Sequence, residues 1–209
     1  MDRRPISRFI DGLSAEEIVV IEQRMRDPLF SQSHFLGVGE SLVARIEADA
    51  ATLYELCITH GQLADRLEAI VREARRIREI KILAPEYRSR QQDRCLRLIK
   101  GKDTSTILQE EHEDSAVVVD SRFSVTIAEY KGYQYCPFDY NWDGYSIRSC
   151  YSASVDFEIR NTRRGSSMLL SELLIHMIRD HQFFEGEGLR YRVDPRLAAD
   201  TLELGAGAK

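Results

Sequence analysis

Residues 40–81 read E SLVARIEADA ATLYELCITH GQLADRLEAI VREARRIREI K, and their spacing decides how the chain is organised. Ile46, Leu53, His60, Leu67, Ala74 and Lys81 recur every seven residues. Leu56, Leu63, Ile70 and Ile77 follow at three places behind members of the first series. That is the spacing of a coiled-coil seam. Two features resist it. Asp49 falls where the second series wants an apolar residue, and His60-Gly61 interrupts the middle. Thr59 and Gln62 could form a capping box and turn one helix into a hairpin of two. The heptad phase nevertheless runs through Gly61 unbroken, so the stretch reads as one helix.

A seam of Leu53, Leu56, Leu63, Leu67, Ile70 and Ile77 must be covered, because exposure costs roughly 1.5–3 kcal/mol per large side chain. The simplest cover is a second copy of the same helix; the rival cover is the chain's own helices. Six acids against two arginines lie between Glu40 and Glu68, and eleven Lys or Arg against four acids between Arg72 and Lys102. Antiparallel pairing would set these opposite charges side by side, with His60 near the centre, where burial disfavours its charged form. A homodimer is therefore expected.

Working outward, Ser14 and Glu17 form a capping box ahead of a helix to about Arg26, with Leu13 and Ile18 as its staple. Asp27-Pro28 stops it. Pro85 opens a further helix, about Glu86 to Lys100, and Gly101 ends it. The polar run Lys102 to Ser115, closing in Glu110 to Asp114, reads as a linker. Beyond it the period changes. Val117, Val119, Phe123, Val125 and Ile127 alternate as a strand does. Tyr133–Phe138 and Tyr145–Arg160 read as two more strands around an Asp143-Gly144 turn. A helix is expected from Ser167 to His181, a short strand at Tyr191–Val193, and a last helix capped by Asp194 with Pro195 in its first turn. The segment containing Phe183-Phe184-Glu185-Gly186 has the look of a defined module. The fold class is α+β: a helical, coiled-coil-like N-terminal half (1–108) for self-association, then a small antiparallel-sheet domain with one packed helix (109–209).

The bulk figures exclude little. Of 209 residues, 43% are hydrophobic and 30% charged, with a net charge of −5, which argues against a dedicated nucleic-acid binder. The longest apolar stretch, Met168 to Ile175, is broken by Ser171 and Glu172, too short to span a membrane. The first residues lead to no apolar signal core. Four cysteines are too few for a disulfide scaffold. A cytoplasmic protein with reduced thiols is expected.

Several residue groups could carry chemistry. Asp139-x-Asn141-x-Asp143-Gly144 resembles the opening of an EF-hand calcium loop. The likeness ends there: Cys150 stands where a bidentate Glu is needed, and the flanks read as strands. A hairpin turn is the plainer reading. Cys136, Cys150, His176 and His181 are residue types that suit zinc. Their spacing does not: there is no C-x-x-C pair, thirteen residues separate the cysteines, and the histidines stand about 140° apart round a helix. Two small buried thiols and two unrelated histidines are the plainer reading, so neither a metal nor a cofactor is expected. Glu172, His176 and Asp180 share a helix face that could do acid–base work or simply be solvated. Eight of the 18 aromatic residues lie between Tyr130 and Tyr151. Of these Tyr133, Tyr135, Phe138, Trp142 and Tyr145 are the candidates for a contact surface, although most such rings serve as core. The basic stretch reads as internally paired.

With no nucleophile elbow, phosphate loop or H-E-x-x-H motif, the sequence reads as a non-catalytic interaction or regulatory protein. It would self-associate through its N-terminal helix and offer a protein partner its α+β domain. The alternative is a metal-dependent (zinc or calcium) domain or enzyme with its site in the C-terminal half. A nucleic-acid partner and a membrane are not expected.

Overall fold

Two capping boxes set the helix boundaries. The computed structural model describes residues 12–28, 31, 34–99, 116–142 and 147–205. Helix α1 (Ala15–Arg26) starts where Ser14 and Glu17 exchange backbone and side-chain bonds at 2.7 and 3.2 Å, and stops at an extended Asp27 before Pro28. The second box forms in the same way: the Gln62 amide donates to Thr59 Oγ1 at 3.1 Å and the Thr59 amide to Gln62 Oε1 at 2.8 Å. The stretch expected to be one helix is therefore two, α2 (Leu42–Glu55) and α3 (His60–Leu83), with Cys57 in the left-handed region between them. The heptad phase survives the break because both helices face the same core. Phase reports which side is buried, and a continuous axis is not needed for it.

The stripe is covered within one chain. Leu53, Leu63, Leu67 and Ile70 are buried, and Leu56 and Ile77 pack half-buried against the same cluster. The cover over α3 is the sheet and a helix from the other end of the sequence, the rival to a second copy. Asp49, the misfit in the heptads, is buried too: Arg192 grips both its oxygens at 2.6 and 2.7 Å. Helix α4 (Pro85–Ile99) follows α3 across Ala84. Gly101, the acidic run and the whole segment read as a linker lie outside the described residues.

The sheet is antiparallel, in the order β1 (Ala116–Val119), β2 (Phe123–Tyr135), β5 (Ser152–Asn161), β6 (Ser167–Ser171). The run from Val117 to Ile127 is two strands, because Asp120 and Ser121 both take left-handed angles and reverse the chain. Its apolar rows line up across the strands: Val117, Val125, Ile159 and Met168 in one, Ile127, Phe157 and Leu170 in another. Between β2 and β5 the chain makes an excursion containing β3 (Tyr140–Trp142) and β4 (Ile147–Ser149), a separate two-stranded hairpin.

Helix α5 (Glu172–His181) begins later than expected, since Ser167–Ser171 joins the sheet edge and only then caps the helix through Ser171 Oγ. Tyr191–Val193 is no strand. The Tyr191 hydroxyl turns in to donate to Asp156 at 2.5 Å, and Arg192 turns in to Asp49. Helix α6 (Pro195–Thr201) is capped by Asp194 as expected. Gly186 sits where its amide donates to Phe35 O at 2.8 Å, and a Cβ there would lie 2.8 Å from the Gly37 nitrogen.

Helix α3 packs on α5, β1 and β2, and α2 on α6. One hydrophobic cluster runs from Ile21 to Leu202 and draws on both sides of the division at 108/109. No helix among the described residues is long and apolar enough to cross a membrane.

Candidate metal centre

Strand pairing brings together what sequence spacing keeps apart. β2 delivers Cys136 at its end, and the chain returns at Cys150 to start β5. The Cys136 amide donates to Tyr151 O at 3.0 Å, and the Cys150 amide to Asp139 O at 3.3 Å. The Ser149 hydroxyl lies 2.9 Å from Tyr151 O and 3.3 Å from Cys136 O. The two cysteines are thus the posts at the base of the excursion 137–149. α5 supplies the other half. Its buried Leu173, Leu174, Met177 and Ile178 fix its rotation on the sheet, which leaves His176 and His181 directed at that base. Gln182, in the left-handed region, ends the helix just past His181.

The four ligand atoms lie within 4.8 Å of one another. His181 Nε2 is 3.4 Å from Cys136 Sγ, 3.6 Å from Cys150 Sγ and 3.2 Å from His176 Nε2; His176 Nε2 is 3.2 Å from Cys150 Sγ. A tetrahedron with zinc–sulfur bonds of about 2.3 Å and zinc–nitrogen bonds of about 2.0–2.1 Å has edges of roughly 3.3–3.8 Å. Four of the six edges thus match to within a few tenths of an ångström, and the other two, both from Cys136, are no longer than 4.8 Å.

The surroundings orient both rings. His176 Nδ1 is 2.7 Å from Asp180 Oδ2, which places the ring hydrogen on Nδ1 and the lone pair on Nε2, toward the sulfurs. Tyr151 lies parallel to His176 at 4.7 Å, and Phe138 parallel to His181 at 4.3 Å, with Phe183 edge-on behind it. Burial lowers the pKa of His176 and pushes that of His181 down to about 4, so both imidazoles are neutral near pH 7. Burial raises both thiols, Cys136 most. A divalent cation reverses that preference, since a coordinating thiol is deprotonated.

The structure joins all four residues that the sequence named as zinc-suited and then set aside on spacing. The 140° between the histidines concerns where their side chains leave the helix. Their Nε2 atoms stand well off the axis, and the rings lean together across the last turn, 5.0 Å apart and nearly perpendicular. On the helix face considered for acid–base work, Glu172 pairs with Arg75 at 2.8 Å, and Asp180 is the carboxylate that orients His176. The calcium reading loses support as well, because Asn141 is paired with Arg148 in a strand; Asp143 and Gly144 lie outside the described residues.

Of the aromatic candidates, Tyr133 is exposed on a bulge where the β2–β5 register slips between Glu129 and Gln134. Tyr135 is half-buried, edge-on to Tyr140. Phe138 is buried against His181 and serves the centre, where a partner cannot reach it. The Trp142 and Tyr145 side chains lie outside the described residues. Asp180, Tyr151 and Phe138 are the supporting residues that the sequence reading missed as such; His176-x3-Asp180 on one helix face was their one local signal.

Beside the centre an open groove of about 890 Å³ runs between α3 and α5, with Cys150, Tyr151, His176 and His181 in its lining. Several of its charges are paired: Arg76 with Glu73, Arg75 with Glu172, and Arg179 with Asp65 and Glu68. The basic stretch is thus paired partly with α5 and, through Arg78 and Glu129, with the sheet. No family model, no curated protein and no solved structure matches this chain.

Proposed function

We propose that this chain is a zinc-binding domain of the non-catalytic, interaction or regulatory kind, in which a Cys2His2 centre fastens the excursion 137–149 to α5. The observation that carries this is the convergence of Cys136, Cys150, His176 and His181 at zinc-like separations with both imidazoles oriented. Four protein ligands complete a tetrahedral zinc, the arrangement of sites that hold structure, whereas catalytic zinc keeps one position for water. Thiolate with imidazole favours zinc over calcium or magnesium, which take oxygen.

Elemental analysis of protein purified without chelator should find about one zinc per chain. Cobalt substitution should give the visible spectrum of a tetrahedral ion with thiolate charge-transfer bands. Cys136→Ser and His181→Ala should each remove most of the bound metal. Wild-type protein that takes up neither zinc nor cobalt overturns the reading.

A further inference from the structure

We propose that the centre is a clamp released by oxidation: a hydroperoxide converts Cys136 and Cys150 to a disulfide, zinc leaves, and α5 is uncoupled from the excursion 137–149. The inference rests on the zinc reading above and adds regulation to it.

Three observations carry it. The two thiols differ in access. Cys136 is fully buried, whereas Cys150 is exposed and lines the open groove, so a small oxidant meets one sulfur with the other directly behind it. The backbone holds the two cysteines side by side. Cys136 is bonded to Tyr151, the residue next to Cys150, and the chain turns the Cys150 sulfur to the same side, within 4.8 Å at most of the Cys136 sulfur. A disulfide needs about 2.05 Å between sulfurs, so the two side chains must rotate toward each other to form it. Last, the posts belong to one excursion and the histidines to another element. A Cys136–Cys150 disulfide closes the base of the excursion, already closed by its own backbone bonds, and places no constraint on α5.

The chemistry balances. The Cys150 thiolate attacks one oxygen of hydrogen peroxide; the O–O bond breaks, hydroxide leaves, and Cys150 carries S–OH. The Cys136 thiolate attacks that sulfur, the S–S bond forms, and a second hydroxide leaves. Two thiolates have given two electrons to one peroxide. Zinc is not reduced or oxidised. It keeps only two neutral imidazoles and dissociates, since neutral disulfide sulfur replaces the two anionic donors.

The test uses the full-length, zinc-loaded chain. Hydrogen peroxide is added with a chromogenic zinc chelator, thiols are blocked at intervals, and peptides are mapped. Hydrogen exchange is followed in parallel. One zinc should be released per Cys136–Cys150 disulfide, at least tenfold faster than Cys57, an exposed thiol of the same chain, is oxidised. Exchange should rise in the last turns of α5, and a dithiol with added zinc should restore the starting state. Zinc that stays bound while Cys57 oxidises, or that leaves with sulfinic acid and no disulfide, overturns the inference alone. Unchanged exchange in α5 after zinc release overturns the uncoupling. A chain that holds no zinc before treatment overturns the zinc reading and this inference with it.

Discussion

Helix α3 and the β3–β4 hairpin are held in place by different physics. α3 brings Leu63, Ala64, Leu67, Ile70 and Ala74, all buried, to the sheet and α5, and apolar burial is enough to fix it. The hairpin has two strands of three residues and a sheet of its own. A lone pair of short strands is marginal in water. Its base is instead tied by backbone bonds around Cys136 and Cys150, and the excursion meets α5 through the ligand atoms and one apolar ring, Phe138 on His181. Where a segment lacks apolar surface to bury, directional ligands can replace it. They are few and separable, so they can also be released.

The largest effect should come from breaking the apolar side. Leu63→Glu buries a charge at a fully enclosed position and should cost roughly 4 kcal/mol or more, enough to abolish the cooperative melt. Leu56→Glu, at a half-buried position of the same stripe, should cost about 1 kcal/mol and leave a folded chain. Circular dichroism and light scattering on both variants check this. Two folded variants that differ from wild type only in mass would instead restore the stripe as a contact between copies.

Metal removal should be smaller and local. Chelation, or Cys136→Ser, should speed hydrogen exchange in 136–150 and the end of α5 and leave the α3 amides protected. A cooperative loss of α3 protection would show that the centre supports the whole core, and the contrast between the two regions would fail.

The same contrast explains what the sequence made legible. Capping residues act within one turn, so Ser14 with Glu17, Thr59 with Gln62, and Asp194 with Pro195 were all recognisable locally. Alternation marked the strands, and apolar spacing marked the buried side of residues 40–81. What spacing could not give was the identity of the cover, because the sheet and α5 reach α3 only through the tertiary fold. The centre was hidden for the same reason. Cys136 and Cys150 are neighbours by strand pairing across thirteen residues, and His176 and His181 by side-chain reach. Ligand types were readable, but the distances between ligand atoms were not.

His60 sharpens the comparison through pH. It occupies the first turn of α3, 5.7 Å from the Phe184 ring, and burial pushes its pKa down to about 4. The folded state therefore tolerates the neutral ring, while the unfolded chain protonates near 6.5. Its contribution is complete above pH 6.5 and is lost as pH falls from there to about 4. The loss reaches about 2–3 kcal/mol once partial solvent access is allowed for. Denaturant midpoints of wild type and His60→Gln, compared at pH 7 and pH 4.5 in the presence of chelator, isolate this residue from the centre. Parallel slopes with pH would show that His60 titrates as it does in the unfolded chain.

Glu185 lies past the end of α5, beside Asp156 and Arg192, and should give the subtlest signal. Its carboxyl is buried, 1% exposed, and its oxygens have no hydrogen-bond partner among the described residues. Burial first, then the nearby Asp156 charge, raises its pKa well above the ordinary value, against the pull of Arg192. The folded chain thus prefers the neutral acid, whereas the unfolded chain ionises near 4.5. Wild-type stability must fall as pH rises from that value toward the folded one, by up to about 1.4 kcal/mol for each pH unit. Glu185→Gln keeps the size and removes the proton. It should match wild type near pH 4.5 and exceed it by about 2 kcal/mol or more at pH 8, read from chemical denaturation in both buffers. The gain should persist in chelated protein, because nothing in it depends on the metal. A variant no more stable than wild type at pH 8 would mean that the Glu185 carboxylate finds a partner when it ionises, and the local Arg192 guanidinium would be the first place to look.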